Sequence, residues 1–153
     1  MKPQYRLVRA KRELDLITPV DVIAWAADEV ANGREEQKLV ELAALWDTSA
    51  EAVDARLDAL LVSLDIEPPS RSDAGRLIAG ALAQDVVDGV VSPYDGARSI
   101  WLTVAAAVPE VEPELRAFVG LASEWADDEV HRVEYDADIV DEAKRYVNNQ
   151  LLR

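Results

Sequence analysis

Two short stretches, Thr18-Pro19-Val20-Asp21 and Ser92-Pro93-Tyr94-Asp95, constrain this chain more than any other feature in it. Each sets a hydroxyl residue before a proline and an acid, the order that a helix start requires. The hydroxyl accepts from an unpaired backbone N–H, proline at the first helical position has no N–H to leave orphaned, and the acid meets the positive end of the helix. Apolar residues then follow at helical spacing. Val22, Ile23, Ala26 and Val30 make one stripe, with Trp25 at its edge; Ala97, Ile100, Trp101, Val104, Ala105 and Val108 make a second and cleaner one. The same period recurs in Leu39, Leu42, Ala43 and Trp46, in Val53, Leu57, Leu60 and Leu64, and in Leu115, Phe118, Ala122 and Trp125. Almost no segment shows the alternation of a half-buried strand. The expected fold is all-α, a compact bundle of about six or seven helices with no significant sheet.

Pro68 and Pro69 cannot lie inside a helix, because proline lacks the N–H and drives its predecessor out of the α region. They set the best internal boundary. The expected organisation is a basic N-terminal arm over residues 1–17, a helical half over 18–66 and a second over 72–153, the two halves packed as one domain. A chain of 153 residues, half of them hydrophobic, is long enough to bury a core without disulfides or a structural metal.

With no cysteine and a single histidine, the chain cannot offer a thiolate nucleophile, a Cys-type zinc site or a paired-histidine motif. Its glycines follow neither the dinucleotide nor the P-loop spacing. No catalytic residue, cofactor or metal site is therefore expected. The net charge of −14 opposes nucleic acid, whose phosphates call for clustered Lys and Arg. Apolar runs fall short of a membrane span, and Arg6, Arg9 and Lys11 interrupt any signal-like core near the start, so a cytoplasmic protein without a membrane partner is expected. The charge is uneven. Residues 1–12 carry five bases and no acid, whereas residues 124–142 carry nine acids against Arg132 alone.

That acidic segment holds the candidate partner-binding residues Asp127, Asp128, Glu129, His131 and Glu134. If the helix continues through His131, Asp127 and Asp128 share a face with it, where a carboxylate orients the imidazole. A divalent cation needs several oxygens around one point, which carboxylates in series along one helix do not supply. For the four tryptophans, packing is the expected role, since each lies on or beside an apolar stripe. Trp25, at the edge of its stripe, joins the candidate partner-binding set.

Val87 to Trp101, Val-Asp-Gly-Val-Val-Ser-Pro-Tyr-Asp-Gly-Ala-Arg-Ser-Ile-Trp, and Phe118 to Asp127, Phe-Val-Gly-Leu-Ala-Ser-Glu-Trp-Ala-Asp, are followed by an acidic stretch and by Ile-Val-Asp-Glu-Ala-Lys at 139–144. Together they resemble a group of small bacterial helical proteins of unknown function, over about residues 75–152. The resemblance implies a bacterial helical domain and brings no activity with it.

The reading that best fits these features is a non-enzymatic acidic binding protein, immunity- or antitoxin-like, that takes a basic protein as its partner through electrostatic steering. Two alternatives stand beside it: an Mg²⁺-dependent all-helical nucleotide pyrophosphohydrolase, and a structural subunit of a bacterial assembly.

Overall fold

Helix starts fall where the capping residues put them. In the computed structural model, which describes residues 2–152, Thr18 Oγ1 accepts from Asp21 N while the Asp21 carboxylate accepts from Thr18 N, opening helix α2 (Pro19–Ala31) with a complete capping box. Ser49 and Ser92 open α4 (Ala50–Ser63) and α6 (Pro93–Ser99) with the hydroxyl bond alone, accepting from Ala52 N and Asp95 N. The remaining helices are α1 (Lys2–Glu13), α3 (Gln37–Ala43), α5 (Arg71–Val87), α7 (Glu112–Asp127) and α8 (Arg132–Leu151). Helix α6 runs on as a π-helical segment, Ile100–Ala105, and 3₁₀ turns at Pro109–Val111 and Glu129–His131 lead into α7 and α8. The described residues thus hold eight α-helices and no strand. Gly33 and Gly89, both at positive φ, reverse the chain after α2 and α5, where a side chain would be strained.

The chain divides into two compact units, Met1–Ala74 and Gly75–Arg153, so the division falls one turn into α5 instead of at the prolines. Pro68 and Pro69 do interrupt the helices, but the segment around them is fastened to the first unit. Pro69 is buried, Arg6 donates to the Glu67 carbonyl, and Arg71 donates to the Glu13 carbonyl.

In the first unit Val22, Ala26, Leu39, Leu42, Val53, Leu57 and Leu60 are all fully buried and pack α2, α3 and α4 together. Residues 1–17, expected as an arm, instead hold the additional helix α1, packed on α4. Tyr5 and Ala10 are buried on it, and so is a charge: Arg12, 9% exposed, donates to both oxygens of Asp54 and to the Ile17 carbonyl. Arg9 reaches Asp58, one turn further along α4, at 2.7 Å. Trp46 departs from its expected role in the core. It is 89% exposed, because α3 ends at Ala43 and leaves the indole beyond the helix whose stripe it continues.

In the second unit Ile100, Val104, Leu115, Phe118, Ile139 and Ala143 are fully buried, and α7 packs on α8 and α6. Trp101 and Trp125, expected among them, are only half-buried. The π-helical segment moves Trp101: Ala106 N donates to the Trp101 carbonyl five residues back, and this wider turn brings Val104 and Ala105 inward while the indole moves to the edge. A Cβ at Gly96 would run into the Val86 side chain, which would have to shift.

Candidate functional site

The most heavily charged part of the second unit is the corner between α7 and α8, and it is organised around Trp125. Tyr94, brought in by α6, stacks on one face of the indole with centroids 3.9 Å apart and planes 16° from parallel. The guanidinium of Arg132 lies over the other face, 3.9 Å from the centroid. Indole Nε1 donates to Asp136 at 2.9 Å. Arg132 also donates from Nε to the Trp125 carbonyl, so the one base of residues 124–142 caps the end of α7, where carbonyls have no helical partner.

The helix does not continue through His131: it is broken at Asp128, whose backbone leaves the helical region (φ −129°, ψ 87°). Asp128 and His131 nevertheless meet. Oδ2 of Asp128 receives His131 Nδ1 at 2.8 Å and the Tyr135 hydroxyl at 2.9 Å; because an ionised carboxylate only accepts, the imidazole proton sits on Nδ1. These hydrogen bonds, from His131 first and Tyr135 second, hold the Asp128 carboxyl below the usual aspartate range, and the same bond raises the Tyr135 phenol. A depressed carboxyl strengthens the turn at neutral pH, and that contribution disappears as pH falls through its lowered pKa. In a carboxyl NMR titration Asp128 should therefore titrate below an ordinary aspartate, and Tyr135→Phe should move it upward. An unchanged midpoint in that variant would show that the tyrosine bond does not hold the carboxylate.

Asp128 and Asp136 are thus turned inward to structural partners. Asp127, Glu129 and Glu134 are exposed, as are Glu124, Asp138 and Asp141, and none of these six makes an ion pair among the described residues. Elsewhere carboxylates are met by cations, as in Glu114 with Arg76, Glu112 with Arg116 and Glu142 with Arg145. A cavity of about 200 Å³ nearby in the same unit is lined by Glu114, Glu142, Arg145, Tyr146, Asn149 and Gln150, and its two carboxylates are each held by one of those arginines. Among the described residues no three His, Asp or Glu side chains are grouped so that they could hold a metal ion, and no helix is long and apolar enough to cross a membrane.

Trp25 belongs to the first unit, apart from the five other candidate residues. It is half-buried and stands edge-on to Tyr5 at 5.5 Å, and the Tyr5 hydroxyl donates to Glu36 Oε1 at 3.3 Å. Its indole is part of the core's edge. Two residues missing from the sequence-based candidates are Val130 and Val133, 84% and 80% exposed among the acids. For Val133 the position carries a usable signal: counting back along α8 from buried Ile139, the inward phase falls on Tyr135, Asp136 and Arg132, which leaves Val133 on the outward side, whereas Val130 lies before α8 in the 3₁₀ turn.

Compared with known protein families, with curated proteins and with solved structures, the chain matches none.

Proposed function

We propose that the protein is a non-enzymatic acidic binding protein, of immunity or antitoxin type, whose α7–α8 corner captures a basic protein. One observation carries this reading. Residues 75–153 hold seven bases and fifteen acids, and residues 124–142 hold one base and nine of those acids, so outside the corner the second unit has six of each. Its entire net charge of −8 is gathered at one place. Acidity that served solubility alone would have no reason to be concentrated in this way. A concentrated field raises the rate of encounter with an oppositely charged surface by about 10- to 1,000-fold.

The test is affinity capture from native lysate, followed by association kinetics with the captured protein. Wild-type chain should retain a basic protein that salt releases, since screening shortens the Debye length from about 10 Å at 0.1 M to about 3 Å at 1 M. The combined change Asp127→Asn, Glu129→Gln and Glu134→Gln should slow association about tenfold or more while dissociation changes less. Asp128 is left intact, because its carboxylate holds the turn. A captured partner whose binding ignores both salt and this triple change would overturn the reading.

A further inference from the structure

Val130 and Val133 are the feature of the corner that charge does not explain. Both are β-branched, so each side chain is already stiff and loses little freedom when covered. At 84% and 80% exposure they stand with Trp46, Leu151 and Leu152 among the most exposed large apolar residues described. Ala137, also exposed, follows Val133 by four residues and so stands beside it one turn along α8. Glu134, Asp138 and Asp141 run along one side of this strip at i, i+4 and i+7, a span of about 10 Å at 1.5 Å per residue. Glu129 lies between Asp128 and Val130 at the other end. An apolar strip edged by unpaired charge has the anatomy of a recognition surface, with an apolar centre and a polar rim.

We infer that this strip takes a basic amphipathic helix of the partner, with apolar side chains seated on Val130, Val133 and Ala137 and Lys or Arg side chains reaching the flanking carboxylates. The inference rests on the binding function proposed above and narrows its partner. Charge complementarity selects a basic occupant. The helical form follows from the repeat: apolar residues and acids on α8 recur every helical turn, and a second helix lying alongside repeats at the same interval, so the two patterns stay in step over two turns.

Two synthetic peptides of about 18 residues test it, long enough to form helix on docking. Both carry the same leucines and lysines. In the first the leucines share one helical face, and in the second they are scattered around the helix. Binding is read by isothermal titration calorimetry and by amide NMR shifts. The first peptide should bind about tenfold or more tightly than the second, with shifts centred on residues 129–141, and Val130→Ser with Val133→Ser should abolish that preference. Val20→Ser, which changes an exposed valine of the first unit, should leave it intact. Both sets of changes are at exposed sites and should leave the circular dichroism spectrum unaltered. If the peptides bind equally, or the preference survives the double valine change, the helix inference falls; the charge-based function stands so long as the Asp127, Glu129 and Glu134 changes weaken both. Binding that ignores those acid changes, or no binding of either peptide at about 1 mM, overturns both.

Discussion

Phe118→Ala should destabilise the protein by about 3–5 kcal/mol, the usual cost of a cavity left by a large aromatic side chain. Phe118 is fully buried on α7 and meets Tyr146 of α8 edge to face, with centroids 6.0 Å apart. Removing the ring takes away both its burial and this aromatic contact, worth about 0.5–1.5 kcal/mol in its own right. Trp101→Ala, at a half-buried ring, should cost distinctly less. Urea unfolding followed by circular dichroism ranks the two. A Phe118 variant that loses less than about 1 kcal/mol would mean that the α7–α8 packing is not the core of the second unit.

The second large effect belongs to the first unit. Asp54→Ala should cost about 2–4 kcal/mol, somewhat below the cost of breaking a fully buried pair, because the Asp54 side chain keeps 28% of its exposure. The loss comes mainly from what remains: the Arg12 guanidinium, its side chain only 6% exposed, would keep its charge without the carboxylate that now accepts from Nε at 2.9 Å, leaving only the exposed Asp15, at 3.5 Å, and the Ile17 carbonyl to meet it. Replacing both together, Arg12→Met with Asp54→Leu, removes the stranded charge and should recover most of the stability. Thermal melts of Arg12→Met, Asp54→Leu and the double variant complete the cycle. If Asp54→Ala proves as mild as an ordinary surface change, within about 0.5 kcal/mol, the pair contributes little and α1 is held by its other contacts, Tyr5, Ala10 and the Arg9–Asp58 pair among them.

The same ion pair shows where sequence reading stops. Helices α2, α4 and α6 were legible because their caps are local: Thr18, Ser49 and Ser92 each bond a backbone N–H three residues on. Helix α1 was not, because two of its inward-facing positions are Arg9 and Arg12. An arginine reads as solvent-facing until its partner is known, and Asp58 and Asp54 lie 49 and 42 residues away. Trp46 misled for the opposite reason. It continues the period of Leu39, Leu42 and Ala43, but the chain has already left the helix and is forming the next cap, where Asp47 accepts from Ser49 N.

At the candidate site the excess of acid was visible and its division was not. Nothing in the order of residues marks Asp128 and Asp136 as inward while Asp127, Glu129 and Glu134 face water. That depends on the break at Asp128, which aims one carboxylate at His131 and Tyr135, and on the indole that claims the other. The outward place of Val133, by contrast, could be counted from Ile139, and only the density of surrounding charge drew attention away from it, while Val130 sits in the 3₁₀ turn before that helix.

The stack of Tyr94, Trp125 and Arg132 gives the acidic corner an optical signature of its own. Two aromatic rings held parallel at 3.9 Å couple their electronic transitions, and a cation fixed over the indole shifts its excited state, so Trp125 absorbs and emits differently from Trp46, which is almost wholly in water. Near-ultraviolet circular dichroism can therefore follow the arrangement of α6, α7 and α8 at this corner without any dye attached. Because Arg132 and Asp136 of α8 grip the same ring that Tyr94 supports, any ligand that shifts α8 against α7 alters the light the protein itself absorbs.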